Sequence, residues 1–338
     1  MAGKRSLFNI IAFTINLVIA LLLLFSYLLA FISPLKIPFF AVLSLTVPIL
    51  TLFNILFFVY WLVKLKRQVF LSGLVLLLGW FFSSSLYELS DQNTASNKDL
   101  KVMSYNVRMF NYYHWNPDNH LDDKAFAFIS KIKPDVLSLQ EFYQAPNISF
   151  NYPYKYIKTK SKTNKFGQAI YSKFPIINSG SLDFKNSANN VIFADILRNK
   201  DTIRIYNIHL ESLKINPNKE HFGEQSSEKL IGRLSTAFQR QAEQTTEFLA
   251  HEKKWKGKKI VCGDFNNTAY SWVYKQIKAT KKDAFLEAGK GFGKTFNYVF
   301  PLRIDFILVD TEMIVNSFET FDIRYSDHFP ILAKIQLN

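Results

Sequence analysis

The 338-residue sequence predicts a mixed α/β domain behind a hydrophobic N-terminal region, and three observations carry that reading. Uncharged runs of 30, 27 and 19 residues (Ser6 to Leu35, Ile37 to Val63, Val69 to Tyr87) crowd into the first 88 positions. Beyond Leu100, short apolar runs of strand length alternate with helix-period segments and with a hairpin signal. Polar side chains interrupt the ends of several of those runs, where a strand hands over to a loop. Ligands and catalytic groups of α/β folds collect at such positions.

A bilayer core needs about 20 apolar residues, so the three runs read as three transmembrane helices filling residues 1–88. A cleaved signal peptide has a shorter apolar core and no hydrophobic segments after it. The third run is diluted by Ser83, Ser84 and Ser85. Lys4 and Arg5 precede the first run, and Lys64, Lys66 and Arg67 lie between the second and third, against Lys36 alone in the other connection. Positive flanks stay cytoplasmic, so three crossings predict an integral membrane protein whose large domain is extracytoplasmic. No charged residue falls inside the runs, which argues against an ion or solute pathway.

The first 88 residues hold six Lys and Arg and one Glu, leaving 35 basic and 26 acidic residues, a net +9, for the remainder. Such a charge favours anionic partners and says nothing about fold. Cys262 is the only cysteine, so no intramolecular disulfide forms. Its place in Ile260-Val261-Cys262 is that of a small buried hydrophobe.

Residues 89–99 are polar and read as a linker, and the soluble domain spans 100–338. Leu100 to Val107 predicts a strand, followed by an aromatic loop and a helix over Asp122 to Ile132 that Pro134 ends. Asp135 to Leu139 has the continuous apolar character of a buried strand. Further strands are predicted at Tyr154 to Lys158, Gln168 to Tyr171, Ile177 to Phe184, Val191 to Leu197 and Thr202 to Leu210, the last two joined through Asn199-Lys200-Asp201. Apolar positions at Leu230, Leu234, Phe238, Phe248 and Leu249 predict one long amphipathic helix from Glu224 to His251. Strands at Lys259 to Cys262, Arg303 to Val309 and Ile331 to Leu337 and a helix from Ser271 to Lys278 complete the set. Helices between some strands and hairpins between others call for packed mixed sheets covered by helices.

Seven short stretches carry the chemistry: SYNV, LSLQE, FGQAIYSKFPI, NIHLES, GDFNN, RIDFILVD and SDHFP. In this order they resemble the endonuclease/exonuclease/phosphatase superfamily, whose fold is that of deoxyribonuclease I, over Leu100 to Asn338. The resemblance implies a four-layer sandwich of two mixed β-sheets flanked by helices. It implies a metal-dependent phosphoric ester hydrolase, with Glu141 as the metal-binding carboxylate, Asn106 seating the metal and its waters, and Asp327 as a second carboxylate near it. His328 matches the imidazole that acts as base or stabilises phosphoryl oxygens, and Asp305 the carboxylate that orients it. Asp264 and Asn266 match the pair that aligns the attacking water or holds the phosphate. His209 matches the other catalytic histidine, with Asn207 beside it on the substrate side.

Oxygen ligands of this kind suit Mg²⁺, with Mn²⁺ as an alternative. Some nuclease branches carry an acid where this chain has Arg108, which either contacts a substrate phosphate or pairs with a surface acid. His114, His120, His221 and His251 match no family position and are expected at the surface. Tyr112, Tyr113 and Trp115 are expected to pack their loop. The implied substrate is a phosphoester, in nucleic acid or in a phospholipid headgroup, with the membrane as the other partner. The alternative is a catalytically silent, membrane-tethered module that binds anionic ligands.

Overall fold

A computed structural model of the chain describes residues 7–82, 86–89, 94, 96–144, 150–161, 163–214, 227–298 and 300–337. Leu7–Leu29 forms α1, a helix with a mean hydropathy of 2.6 and the length and composition to cross a membrane. The second apolar run is not one helix. Pro38–Ala41 (α2) and a 3-10 turn at Val42–Leu45 lead into Val47–Val63 (α3), and the two parts bend by 58° about Thr46. Pro38 and Pro48 sit at first-turn positions, where proline starts a helix but cannot continue one from upstream. The third run forms a 14-residue helix, Val69–Phe82 (α4), shorter than the span of about 20 residues that a bilayer core requires. Among the described residues, by length and composition, one helix qualifies, or two with the bent pair, where three were expected.

These helices pack on one another around Asn16 of α1, which is fully buried. Its amide donates to Ser72 Oγ of α4 at 2.7 Å and accepts from the Trp61 indole of α3 at 2.9 Å. Such a polar hub fixes the rotation of all three helices, because breaking it strands a buried amide.

Twelve strands follow among the described residues. Leu100–Asn106 (β1) ends in a turn at Arg108–Asn111 with positive φ at all four residues, and Leu121–Ile132 (α5) returns the chain to Val136–Tyr143 (β2). Next come Tyr154–Thr159 (β3), Phe166–Ser172 (β4), Ile176–Ser181 (β5), Asn190–Arg198 (β6) and Asp201–His209 (β7). Ser227–Glu252 (α6), Lys258–Asp264 (β8), Trp272–Lys278 (α7), the two-residue Lys282–Asp283 (β9) and Ala284–Ala288 (α8) lead to Asp305–Val309 (β10), Ile314–Thr320 (β11) and Ile331–Gln336 (β12). The ten expected strands are all present. Two more, β9 and β11, and the short α8 were not predicted.

The strands form two six-stranded mixed sheets, ordered β11-β12-β1-β2-β4-β3 and β5-β6-β7-β8-β10-β9. Both expose an inner face of β-branched residues, and Val102, Val136 and Ile170 of one meet Ile192, Ile205 and Ile307 of the other in the central core. On the outside α5 covers the first sheet through Ala125 and Ile129, and α6 and α7 cover the second through Phe248, Val273 and Ile277. This is the four-layer sandwich expected from sequence. Each fully buried Ile or Phe contributes about 1.5–3 kcal/mol relative to exposure, so the inner faces hold the layers together.

The apolar N-terminal region rests on this sandwich. Ala41 joins Leu213, Leu234, Ala237 and Phe238 in an apolar cluster, and Thr268 Oγ1 donates to the Ser44 carbonyl at 3.2 Å.

Candidate active site

Register brings the polar strand ends together. β7 and β8 are parallel with His209 opposite Asp264, and β8 and β10 are antiparallel with Asp264 opposite Asp305. Three functional side chains therefore form a row across the end of the second sheet. In the first sheet β1 and β2 are parallel with Asn106 opposite Gln140, so Asn106 and Glu141 stand at the same end. His328 enters from the loop before β12, which is bridged to Phe296.

The two rows face each other. Asn106 Nδ2 donates to Asp264 Oδ2 at 3.0 Å and lies 3.4 Å from Glu141 Oε1. His209 Nε2 is 3.7 Å from Asp264 Oδ2 and 3.9 Å from Glu141 Oε1. His328 Nε2 is also 3.7 Å from Asp264 Oδ2, while its Nδ1 lies 2.9 Å from Asp305 Oδ2. Asp264 Oδ1 accepts the Asn266 amide N–H at 2.7 Å, and the Asn266 side chain donates to the Leu210 carbonyl at 2.9 Å. Glu141 and Asn266 both hold positive φ, +46° and +49°, a conformation that costs energy in a residue with a Cβ and that gathers at functional sites.

Burial and mutual charge set the protonation states. The Glu141 carboxyl is raised by burial and then by Asp327, and burial also raises Asp264, to about 7. His209 is pushed down to about 3, by burial and by the neighbouring His328, and is neutral. For His328 burial is the largest influence and acts downward, but the carboxylates of Asp305, Asp264 and Asp327 with the Asp305 hydrogen bond outweigh it and lift the imidazole to about 10. One charged and one neutral imidazole thus flank the same carboxylate.

Two buried atoms aimed into this cluster, His209 Nε2 and Asp305 Oδ1, make no hydrogen bond, and a group left so inside a fold costs about 1–3 kcal/mol. Asp264, Asp305 and His328 also offer ligand atoms within 4.8 Å of one another. His328 Nδ1 and Asp305 Oδ2 already bond each other and both Asp264 oxygens accept hydrogen bonds, so Glu141 and the unpartnered Asp305 Oδ1 are the freer oxygen donors for a hard cation. A cluster of acids so placed, with unpartnered polar atoms, has the donor set that a divalent ion fits.

Two sequence expectations change, those for Asn207 and His251, and of the two alternatives for Arg108 the structure shows the pairing with an acid. Asn207, expected on the substrate side, is fully buried: its Nδ2 donates to the carbonyls of Leu139 and Ala169 at 2.9 and 3.1 Å, and its Oδ1 accepts from Gln140 Nε2 at 2.7 Å. No atom of its amide remains for substrate, and it ties the second sheet to the first. Gln140 and Gln168, whose Nε2 donates to the Asn207 carbonyl at 3.1 Å, are partners that sequence reasoning missed. Glutamines inside the apolar runs LSLQ and FGQAI were the available signal. Arg108, for which a phosphate contact was one option, is paired with Asp327 at 2.9 Å and lies over the Trp115 ring at 4.5 Å. His114 and His120 are exposed as expected, and His221 lies outside the described residues. His251 is half-buried instead, with its Nδ1 3.2 Å from the Tyr206 hydroxyl and its ring against Phe193, because α6 turns that face onto the sheet.

A family model described as "Endonuclease/Exonuclease/phosphatase family" matches residues 103–328, and one described as "Domain of unknown function (DUF8431)" matches residues 6–86. No curated protein matches the chain. Among solved structures, the human nocturnin catalytic domain with bound sulfate aligns at a TM-score of 0.53 and 16% identity, over 72% of this chain and 96% of that one. Danio rerio TDP2 complexed with a single-strand DNA product aligns at 0.52 and 16%, over 71% and 100%. The Bacteroides thetaiotaomicron mannosyl-6-phosphatase aligns at 0.51 and 18%, over 70% and 100%. At these identities the likeness is one of fold.

Proposed function

Because the chain belongs to the endonuclease/exonuclease/phosphatase family, we propose that it is a Mg²⁺-dependent phosphoester hydrolase anchored in a membrane by its N-terminal helices. The observation that carries the chemistry is the convergence of Asp264, His209 and the Asp305–His328 pair on one point, with Asn106 and Glu141 brought to it from the other sheet. Glu141, with Asp327, would hold the ion, and Asn106, whose Nδ2 faces Glu141 and Asp264 while its Oδ1 accepts the Arg108 N–H, would orient those carboxylates around it. When bound, Mg²⁺ neutralises phosphate oxygens and supplies a water of lowered pKa.

The chain's own residues do the rest. Asp305 holds the His328 ring in one orientation and keeps it protonated, so that Nε2 can donate to a non-bridging phosphate oxygen as charge develops. Asp264, kept near 7, takes a proton from the attacking water at its Oδ2, while the Asn266 amide holds its other oxygen. Neutral His209 accepts or passes a hydrogen bond beside it without adding charge. Asp327 steadies Arg108 beside the cluster, with the guanidinium also over the Trp115 ring.

Anchoring is supported by the apolar α1 and by the hub that binds α3 and α4 to it. The basic flanks at Lys4, Arg5, Lys64, Lys66 and Arg67 favour an extracytoplasmic catalytic domain, provided that α4 crosses. A reporter fused after Asn338 tests this, since a signal confined to the cytoplasm reverses the placement.

The test of activity is hydrolysis of a panel of plasmid DNA, RNA, sphingomyelin, phosphoinositides and an aryl phosphodiester, with and without Mg²⁺. Turnover of at least one arm that EDTA abolishes is expected. Tight Mg²⁺ binding with no turnover of any arm would favour the silent binding module.

A further inference from the structure

We propose that the substrate is an amphiphilic phosphoester whose hydrocarbon chain lies in an apolar cavity running from the catalytic cluster to the break between α2 and α3, a reading that rests on the hydrolase assignment above. The cavity has a volume of about 390 Å³, within the size of ordinary ligand sites. At one end its walls are Glu141, Asn266, Asp327 and His328. At the other they are Val42, Leu45, Pro48 and Ile49, from the kinked apolar segment that precedes and opens α3.

The two side walls are apolar along the way. Leu213, Leu230 and Leu234 belong to the cluster that seats Ala41 on α6. The other wall is formed by Phe296, Tyr298, Phe300 and Leu302, in a loop whose ends are bridged from Phe296 to Leu302. The Phe296 ring lies 5.0 Å from the His328 imidazole and 6.2 Å from the Tyr298 ring, and Tyr298 is 6.5 Å from Phe300, so the aromatic wall begins at the catalytic imidazole and leads away from it.

Among the described lining residues the cations are His328, at the catalytic end, and Lys214, which follows Leu213 of the side wall. A nucleic acid strand needs successive cations along its backbone, and this cavity lacks them. A hydrocarbon chain needs a continuous apolar wall and an entrance from an apolar phase. Phe39 and Phe40 of α2, the helix before the break, are 56 and 41% exposed and add apolar surface there, and Phe300 of the wall is itself 39% exposed. A phosphate held at His328 would therefore project its ester chain toward the segment that enters α3.

Matched methyl and dodecyl esters test this, as 4-nitrophenyl phosphodiesters and as alkyl phosphomonoesters, assayed with the detergent-solubilised full chain and Mg²⁺ or Mn²⁺ below the micelle concentration of each ester. The dodecyl ester is expected to be turned over with a kcat/KM about thirtyfold or more above that of its methyl partner, as burial of a long chain should give. In Leu234→Trp and Leu45→Trp, which fill the cavity from two different elements, that ratio should fall at least about tenfold. Should neither variant fold, a dodecyl phosphate bearing a terminal diazirine should label the wild-type protein within residues 42–49, 230–234 or 296–302. Equal turnover of the two esters, a preference for a single-stranded oligonucleotide, an unchanged ratio in the folded variants, or labelling elsewhere would each overturn the inference and leave the hydrolase assignment standing. Absence of turnover in every arm removes both.

Discussion

Nδ1 of His328 and Oδ2 of Asp305 lie 2.9 Å apart in a buried setting although 23 positions separate them in the chain, and Asp305 Oδ1 has no hydrogen-bond partner. A carboxylate so placed serves the imidazole first. Asp305→Ala and His328→Ala should each lower kcat by about a hundred to ten thousand fold, and the double variant should be little worse than either. A double-mutant cycle on the best substrate of the panel, with folding followed by circular dichroism, decides between this and additive losses, which would make Asp305 a structural acid.

Glu141→Gln should lower activity by about a hundredfold or more while the fold survives, because the amide keeps the shape of the side chain and loses the charge that a hard cation needs. Calorimetric titration should find Mg²⁺ binding weakened to match. Wild-type turnover at saturating Mg²⁺ would remove Glu141 from the ligand set.

In EDTA the proton on His328 should itself be stabilising, because its pKa is about 10 in the fold against about 6.5 unfolded. That contribution is complete below about pH 6.5 and is lost as pH rises toward 10, with a slope of at most about 1.4 kcal/mol per pH unit. His209 acts in the opposite sense. Held near 3, it refuses a proton that the unfolded chain accepts, so its effect is to weaken the fold as pH falls from about 6.5 toward 3. Melting temperatures of the detergent-solubilised protein between pH 5 and 9 should show a flatter alkaline limb in His328→Gln and a flatter acid limb in His209→Gln. Parallel curves for all three proteins would contradict both assignments.

Gly263→Ala should destabilise the fold by about 1–3 kcal/mol. Gly263 holds φ at +136° immediately before Asp264, and a Cβ there would meet the Ile208 carbonyl oxygen at 2.0 Å. The melting temperature should fall, and activity should fall further than stability explains, because Asp264 is displaced with the backbone.

Native Cys262 should resist thiol reagents. Burial pushes its thiol up to about 12, and it donates to the Ser138 hydroxyl at 3.2 Å. Thiolate is then on the order of a thousandfold scarcer than for a free cysteine, so labelling by a colorimetric disulfide should follow unfolding alone.

Most strands were legible because two-sided burial writes them as apolar runs, and most of the candidate site because its residues terminate those runs. β11 was not: its sequence IVNSFET breaks alternation at a register shift between Val315 and Ser317, so its period reads as neither strand nor helix. β9 and α8, two and five residues long, are shorter than any periodic signal. The bend at Thr46 was missed because hydropathy alone reads the run as continuous, although Pro48, which starts α3 and cannot continue a helix from upstream, marks the break. Asn207 was misplaced for a related reason, since a polar residue at a strand end reads alike whether it faces a crevice or the other sheet. Only the packing of β2 and β4 over it distinguishes the two.

That inter-sheet amide has a consequence for how the protein matures. Asn106 and Glu141 arrive on one sheet and His209, Asp264 and Asp305 on the other, with Asn207, Gln140 and Gln168 joining the two faces behind them. Neither half holds a working set of groups by itself. A nascent or partly folded chain would present isolated carboxylates and imidazoles at the ends of separate sheets, so hydrolysis would begin only once the two sheets have docked.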